Sequence, residues 1–249
     1  MAHWTGEYFE RGYGQRWGLP APSDHVRLEA NGLYNILQLS PTSRVIDIGC
    51  GHGRHAIALA ERGPRVIGLD AATALLDRAR HLAAGLHTPV RWIRGDMRRL
   101  PFRSACASAA IVMDAFGFFE TEEENDAVLR EIARVTTTGG RLVLKVVNGV
   151  PVLAAFRETD REERDGAVVS VSRSLTLDPP RMTESISIGG SRGHGEYQRR
   201  QRLYRVEELQ AALERAGFAV VDVFGRADGT PFEPTVSSTL WMVARRAES

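Results

Sequence analysis

From about Arg44, short apolar runs of strand length alternate along the chain with longer amphipathic segments of helical period. This order of elements is typical of a parallel sheet with helices on both faces. The runs predict strands over 45–48, 65–69, 90–93, 109–113 and 141–147. The segments between them predict helices over 54–61, 72–84 and 121–135. Gly85 ends the second helix, and a capping box of Thr121 and Glu124 opens the third.

The pattern changes after the fifth predicted strand. Loosely alternating apolar positions predict inserted antiparallel strands over 168–172, 182–188 and 196–204. A helix over 206–216 and strands over 219–224 and 239–244 then return to the first pattern. We therefore expect an α/β fold with a Rossmann-like, seven-stranded, mostly parallel sheet. Its core spans 44–147 and 205–249, the inserted antiparallel subdomain spans 148–204, and an N-terminal helical segment spans 1–43.

Composition and charge narrow the class of protein. The chain has 249 residues, of which 43% are hydrophobic and 25% charged, as in a soluble globular protein. No apolar run approaches the roughly 18–20 residues of a membrane span, and no apolar signal region follows Met1. A net charge of +1 provides no global field for nucleic acid or membrane. Cys50 and Cys106 are too few for a disulfide framework or a Cys-rich zinc site. We expect a cytoplasmic protein without a metal site.

The basic residues are almost all arginine. Lys145 is the single lysine among 32 basic residues, a bias that GC-rich codon usage explains. Only Lys145 could therefore form a Schiff base, and it lies inside a predicted strand. Several arginines cluster near the inserted strands. We expect them to form a solvated surface or an interface, and not a surface that binds RNA. They are Arg192, Arg199, Arg200, Arg202 and Arg205.

A glycine-rich loop follows the first predicted strand and opens a helix. Its G-x-G-x-G pattern ends the segment 47–53, which begins with Asp47. Glycines let the backbone turn tightly and approach a ligand closely. Asp70, at the end of the next strand, can accept both hydroxyls of a ribose, which is compatible with NAD or S-adenosylmethionine. The spacing favours S-adenosylmethionine, because Asp47 would repel a pyrophosphate but can pair with an ammonium group.

Five motifs in this order resemble those of class I S-adenosylmethionine-dependent methyltransferases. They lie at 47–53, 66–70, 94–97, 111–114 and 139–142. The resemblance implies S-adenosylmethionine as cofactor and S-adenosylhomocysteine as product. It implies that Asp70 holds the ribose, that Asp96 meets the adenine amino group and that the Met97 amide meets the ring. The other cofactor-binding positions it implies are Asp47, Gly49, Gly51, Gly53, Ala71 and Met113.

Two further segments, 50–55 and 116–119, resemble a bacterial small-molecule group that includes natural-product N-, O- and C-methyltransferases. Ala115 departs from the serine that this group often carries. In the family, a segment such as 1–43 often folds over the cofactor as a lid. The alternative is a helix that only packs its apolar face. The lid candidates for cofactor contact are Tyr8, Tyr13 and Trp17.

Ligands of an open parallel sheet bind at the carboxyl ends of its strands, which places the residues after the fourth strand beside the transferred methyl group. Asp114 either contacts the substrate or caps local backbone. Phe116 either lines the cofactor or faces a cationic substrate. His52 and His55 are interpreted as packing or cofactor-shell residues. The catalytic candidates are Asp114, Phe116, Tyr197 and Tyr204.

The sequence therefore predicts a methyltransferase acting on an N, C or O atom of a small molecule, such as a secondary metabolite. The alternatives are methylation of RNA or protein, a non-methylating cofactor-binding protein of the same fold, and an NAD dehydrogenase. We expect a small-molecule partner, with neither nucleic acid nor membrane. A homodimer is also expected, because an exposed antiparallel sheet with an apolar face needs to be covered.

Overall fold

The computed structural model describes residues 4–84, 90–164, 166–191 and 193–248. Gly85 and Arg192, both singled out from the sequence, lie outside these ranges. Among the described residues, no helix is both long enough and apolar enough to cross a membrane.

A seven-stranded sheet forms the core, which confirms the predicted fold class. Its strands are β1 (Arg44–Ile48), β2 (Arg65–Asp70), β3 (Val90–Arg94), β4 (Ala107–Met113), β5 (Thr136–Val147), β10 (Phe218–Phe224) and β11 (Thr239–Arg246). Their order in the sheet is β10-β11-β5-β4-β1-β2-β3, and β11 runs antiparallel to both of its neighbours. The central strands read as continuous apolar runs because both faces of the sheet are covered.

Helices pack on both faces of this sheet. On one face, Leu33 of α3 and Leu59 of α4 belong to one buried cluster. On the other face, Leu129 of α6 and Leu213 of α8 belong to a second cluster. The helices of the core are α3 (Asp24–Ile36), α4 (Arg54–Ala60), α5 (Thr73–Ala84), α6 (Glu122–Val135) and α8 (Val206–Arg215).

The predicted capping box opens α6. The Glu124 amide donates to the Thr121 hydroxyl at 3.2 Å, and the Glu124 carboxylate accepts from the Thr121 amide at 3.2 Å. Acidic residues in the first turn add a favourable interaction with the positive end of the helix dipole. The helix therefore begins at Glu122, one residue after the predicted start, because Thr121 is its N-cap.

The inserted region holds four antiparallel strands where the sequence predicts three. In sheet order they are β6 (Thr159–Arg164), β7 (Ala167–Leu177), β8 (Pro180–Gly190) and β9 (Gly195–Arg202), which we call the inserted sheet. The prediction missed β6 because all six of its residues are polar or charged. It also missed the short helix α7 (Gly149–Ala154), whose Pro151 interrupts a helical pattern.

The N-terminal segment is helical, as predicted. Its first part, residues 4–17, comprises α1 (Trp4–Glu7), a π-helical turn (Tyr8–Gly12) and α2 (Tyr13–Trp17), and we keep the name N-terminal segment for this part. The second part, α3, packs against the core sheet. Tyr8 is fully buried against Val169, Ile186 and other apolar residues of the inserted sheet. The N-terminal segment of the same chain therefore covers the apolar face of the inserted sheet. The homodimer was expected because this face needed a cover, so it stays a prediction that the covered face does not support.

Candidate functional site

A cavity of about 1200 Å³ opens at the carboxyl ends of β1, β2 and β4. The N-terminal segment closes over it, and Arg199 of the inserted sheet reaches its wall. The cavity is lined by eleven of the sixteen residues that the sequence predicted as site residues. These are Tyr13, Trp17, Asp47, Gly49, Gly51, Asp70, Ala71, Asp96, Met97, Met113 and Asp114.

The other five candidates do not line this cavity. Phe116 and Tyr204 are buried and stack on each other with ring centroids 5.4 Å apart. Tyr8 packs edge-on against Tyr197, whose hydroxyl donates to Gln15 at 2.8 Å. Burial raises the pKa of the Tyr204 hydroxyl well above its usual range, which does not favour a role as a base. The fifth is Gly53, at the start of α4.

The three loop glycines have different reasons to be glycine. A Cβ at Gly49 would lie 2.4 Å from the Ala115 side chain, and one at Gly53 would lie 2.4 Å from the Trp92 ring. Gly51 also has a positive φ of 56°, but a Cβ there would meet no atom within 4 Å. Because Gly51 faces the open cavity, its missing side chain leaves room for a ligand.

Asp70 lies across the loop from Gly51. Its carboxylate accepts from the Gly51 amide at 2.7 Å and from the Ala72 amide at 2.9 Å. These backbone donors hold the carboxylate at the end of β2, where it lines the cavity. This placement suits an acceptor for ribose hydroxyls, the role that the resemblance implies.

Asp47 is a buried carboxylate of the site without a well-placed partner in the described part of the chain. Its side chain is buried, and neither carboxylate oxygen accepts a well-aligned hydrogen bond from the described residues. Burial, with a smaller contribution from Asp70, raises its pKa to about 7. A cationic ligand would relieve this cost. The residues therefore fit S-adenosylmethionine, whose ammonium group would pair with Asp47 and whose ribose would meet Asp70. We call Asp47, Gly51 and Asp70 the cofactor end.

Asp96 and Met97 line the same cavity at the position expected for adenine. The Asp96 carboxylate forms an ion pair with Arg98 at 2.6 Å, and Arg98 also pairs with Glu124 at 2.5 Å. Asp96 therefore belongs to an ion-pair network that holds its carboxylate in place. Arg98 lies 4.5 Å from the centroid of the Phe119 ring, which continues the wall toward the other end of the cavity.

Asp114, Phe118 and Phe119 line the end of the cavity beyond β4, which we call the transfer end. Asp114 has a positive φ of 59°, unusual for a residue with a side chain. Its carboxylate forms an ion pair with Lys145 Nζ at 2.8 Å. Phe9 of the N-terminal segment packs edge-on against Phe118 at 5.3 Å. The transfer end thus combines one carboxylate with aromatic walls.

The two loop histidines lie in the cavity wall and are poor bases. Burial, together with Arg54, lowers the pKa of His52 to about 4. Burial also lowers the pKa of His55, although its ring nitrogen lies 3.0 Å from Glu29. Sequence reasoning missed Phe9, Lys145 and Arg199 as site residues. Phe9 stands in the aromatic N-terminal stretch, and Lys145 stands out as the single lysine, but neither signal specifies a role.

Arg199 belongs to a triad across three strands of the inserted sheet. Glu184 of β8 is opposite Arg173 of β7 and Arg199 of β9 in the strand register. The buried Glu184 carboxylate accepts from Arg173 Nε at 2.9 Å and from Arg199 Nε at 2.7 Å. The triad therefore holds the Arg199 guanidinium where the inserted sheet meets the cavity.

Comparisons with known proteins find similarity to methyltransferases. Residues 45–140 match the model of a family described as a methyltransferase domain. A demethylmenaquinone methyltransferase from Deinococcus radiodurans is 42% identical over 103 residues, a match that spans 41% of this chain and 42% of that protein.

Two solved structures cover almost the whole chain. The CcbJ methyltransferase from Streptomyces caelestis superposes with a TM-score of 0.81 at 18% identity, and the match covers 99% of this chain and 98% of that one. CalS10, an amino pentose methyltransferase from Micromonospora echinaspora solved with S-adenosylmethionine bound, has a TM-score of 0.64 at 25% identity. The second match covers 95% of both chains.

Proposed function

We propose that this chain, which carries a methyltransferase domain and the class I S-adenosylmethionine-dependent methyltransferase fold, methylates an amine nitrogen of a small molecule. The family match and the fold confirm the predicted class and its cofactor. The single observation that carries the proposal is one cavity in which an unsatisfied carboxylate, Asp47, lies at the cofactor end and a second carboxylate, Asp114, lies at the transfer end.

Bound S-adenosylmethionine supplies an electrophilic methyl group on a sulfonium. The chain's own residues bind and orient the reactants, which is the main source of catalysis in a displacement of this kind. At the cofactor end, Asp47 and Asp70 would bind the cofactor. At the transfer end, Phe118 and Phe119 exclude water. As the new C–N bond forms and the C–S bond breaks, the amine gains positive charge. The Asp114 carboxylate stabilises that charge, and the nitrogen loses its proton to water after the transfer.

The Asp114 carboxylate favours an amine over an alcohol or a ring carbon. An alcohol needs a strong base, whereas the loop histidines have lowered pKa values and Tyr204 lies outside the cavity. A neutral amine needs little base, and a carboxylate stabilises the positive charge that its nitrogen gains during the transfer. The likeness to an amino pentose methyltransferase supports the same choice.

The cover that the N-terminal segment forms over the cavity also favours a small molecule over RNA. The arginines that could form a cationic surface are largely engaged in ion pairs: Arg199 with Glu184, Arg200 with Glu120 at 3.6 Å, and Arg202 with Glu208 at 2.6 Å. Among the described residues of the predicted basic cluster, these pairs leave little excess charge to follow a phosphate backbone.

The proposal is tested with methyl-labelled S-adenosylmethionine and an extract of the source organism, separated into small-molecule, RNA and protein fractions. We expect label in the small-molecule fraction and, by mass spectrometry, on nitrogen. Asp114→Asn is expected to lower this transfer strongly. The matched variant Asp126→Asn, which changes an aspartate that pairs with Arg215 on the surface, should transfer label as the wild type does. Label found only in RNA or protein would overturn the small-molecule proposal, and label on carbon or oxygen would overturn the amine.

A further inference from the structure

A line of charged side chains runs from the transfer end into the packing beneath α3. Lys145 Nζ lies 2.8 Å from Asp114 Oδ2 and 3.4 Å from Glu29 Oε1. Glu29 Oε2 in turn lies 3.0 Å from His55 Nε2. The mechanism above uses only Asp114, so the other three groups are buried charges and dipoles without an assigned role.

Lys145 is held between two carboxylates. Its side chain is only 12% exposed, and Nζ lies 5.2 Å from the centroid of the Trp241 ring. Burial lowers the pKa of Lys145, but Asp114 and Glu29 raise it more, so that the net shift is upward. The amine therefore stays protonated at neutral pH. Two carboxylates around one ammonium leave a net negative charge, which a cationic acceptor at the transfer end would balance.

Lys145 holds Asp114 at two points. The backbone amide of Asp114 donates to the Lys145 carbonyl at 3.0 Å, and the Asp114 carboxylate meets Nζ of the same residue. The backbone of Asp114 is in the left-handed region, which is sparsely populated for a residue with a side chain and persists where surrounding contacts hold it. Both its backbone and its carboxylate are thus fixed by one neighbouring residue on β5.

Glu29 keeps the lysine in place from the other side. Burial raises the pKa of Glu29, but the hydrogen bond from His55 and the charge of Lys145 lower it further, to about 2. His25 Nε2 also lies beside Glu29, at 3.8 Å from its carboxylate. Glu29 therefore stays ionised at neutral pH, and its charge fixes the Lys145 ammonium between α3 and β5.

The residue type is informative because this chain uses arginine at every other basic position. An ammonium group is a compact point charge with three donors, which can meet carboxylates on two sides. A planar guanidinium is larger and presents its donors in one fixed plane. The space between Asp114, Glu29 and Trp241 suits the first geometry.

We propose that Lys145 is a positioning residue: it fixes the Asp114 carboxylate at the transfer end, so that an amine acceptor meets a carboxylate in one orientation. The inference rests on the proposed function, in which Asp114 receives the acceptor amine. It assigns Lys145 no contact with the acceptor and no covalent chemistry.

The first test uses the fact that the chain has one lysine. Protein labelled with ¹³C-lysine should give a single lysine side-chain signal in a ¹H–¹³C spectrum. Asp114→Asn should move this signal and lower its titration midpoint by about one pH unit or more, because an opposite charge within hydrogen-bond reach is lost. Asp126→Asn should leave it unchanged. A lysine signal that does not respond to Asp114→Asn would overturn the proposal, whatever the acceptor is.

The second test is a double-mutant cycle read out as label transferred to the small-molecule fraction of the extract. Lys145→Met and Asp114→Asn should each lower transfer by about 100-fold, the size of effect that a misplacement of about 1 Å produces. The double variant should be no worse than either single variant, because Lys145 acts through Asp114. Additive losses, or wild-type transfer by Lys145→Met, would overturn the proposal.

Calorimetry with S-adenosylmethionine tests the proposed function separately from the positioning role of Lys145. Every variant of the cycle should bind the cofactor within about threefold of the wild type, because the cofactor end is unchanged. A wild-type protein that does not bind S-adenosylmethionine would overturn the proposed function itself. If Lys145→Met does not fold, Glu29→Gln provides the second variant: it should move the lysine signal and lower transfer in the same direction, and no change in either would count against the proposal.

Discussion

Asp47 is a buried carboxylate and Asp70 a half-buried one, and the two lie at neighbouring strand ends with different surroundings. Asp70 accepts two backbone hydrogen bonds, from Gly51 and Ala72, whereas Asp47 has no well-aligned partner among the described residues. Burial raises the pKa of both, and for Asp47 the value reaches about 7. The unpaired Asp47 carboxylate therefore destabilises the free protein, and a bound cation would remove this destabilisation.

Replacing Asp47 by asparagine should stabilise the free protein above neutral pH and weaken cofactor binding. The folded pKa of about 7 lies above the ordinary value of 3.8. The free energy of unfolding of the wild type therefore falls as pH rises from about 4 to 7 and then levels off. Asp47→Asn lacks this loss, so at pH 8 it should gain up to about 4 kcal/mol, at about 1.36 kcal/mol per pKa unit.

Urea unfolding at pH 4 and pH 8 measures this difference for Asp47→Asn, and calorimetry measures its affinity for S-adenosylmethionine. Asp77→Asn, at an exposed aspartate of α5, is the control and should show neither effect. Unchanged cofactor affinity in Asp47→Asn would contradict the assignment of the ammonium site.

The loop glycines provide a second prediction for single residues. Gly51→Ala should fold, with a cost of about 1–2 kcal/mol for an alanine in the left-handed region, because its Cβ meets no atom. Its affinity for S-adenosylmethionine should fall sharply, since the added methyl group occupies ligand space. Gly53→Ala should cost more stability, because its Cβ clashes with Trp92. Thermal unfolding measures the stability of the two variants, and calorimetry measures their affinity for S-adenosylmethionine. If both variants lost the same stability and the same affinity, Gly51 would not differ from Gly53 in facing the ligand.

At the scale of elements, the inserted sheet carries its own buried ion triad. Burial raises the pKa of Glu184, but Arg199 and Arg173 lower it further, so that the carboxylate stays ionised. The three residues occupy consecutive strands in register, which ties β7, β8 and β9 together through side chains as well as backbone. This arrangement makes the edge of the cavity depend on the integrity of the sheet.

Replacing Glu184 by glutamine should destabilise the protein by about 3 kcal/mol, because the largely buried Arg199 loses its paired carboxylate and Arg173 keeps the more distant Asp160, at 3.6 Å. Glu196→Gln, at an exposed position of β9 in the same sheet, is the matched control and should change stability by less than about 0.5 kcal/mol. Urea unfolding of both variants is the measurement. A Glu184→Gln protein as stable as the control would show that the triad contributes nothing net.

At the scale of the whole molecule, the N-terminal segment joins the cofactor core to the inserted sheet. Tyr8 packs into the inserted sheet, and Arg16 pairs with Glu162 of β6 at 2.9 Å. On the other side, the Glu10 carboxylate accepts from the Thr73 amide at 2.8 Å and from the Ala74 amide at 3.0 Å. The segment over the cavity is therefore fastened at both sides, next to the turn that carries Asp70.

Glu10→Ala should release one of these fastenings. Loss of two hydrogen bonds to a carboxylate should destabilise the segment by about 2 kcal/mol, which corresponds to about 30-fold faster amide hydrogen exchange over residues 8–17. Glu207→Ala, at an exposed position in the first turn of α8, is the control and should leave that exchange unchanged. Exchange followed by mass spectrometry is the measurement, and equal protection in both variants would contradict the role of Glu10.

The sequence by itself determined the sheet, the glycine loop and the acids at strand ends. These depend on local periods and turns: two-residue alternation, 3.6-residue periodicity and positive-φ glycines act over a few residues. The strands from 45 to 147 and the capping box of Thr121 follow from that local physics. The sequence did not predict the polar strand β6, because its residues show no apolar periodicity. Its pairing with β7 makes it a strand.

The tertiary structure alone decided which side chains share the site. Lys145 and Glu29 are 116 positions apart, and Tyr197 and Gln15 are 182 positions apart. No local pattern encodes such pairs, because they depend on how strands, inserted sheet and N-terminal segment pack. The same packing buried Phe116 and Tyr204 behind the wall of the cavity and brought Phe9 and Arg199 into it. The chemistry of the cofactor end was local in sequence, whereas that of the transfer end arose from long-range contacts.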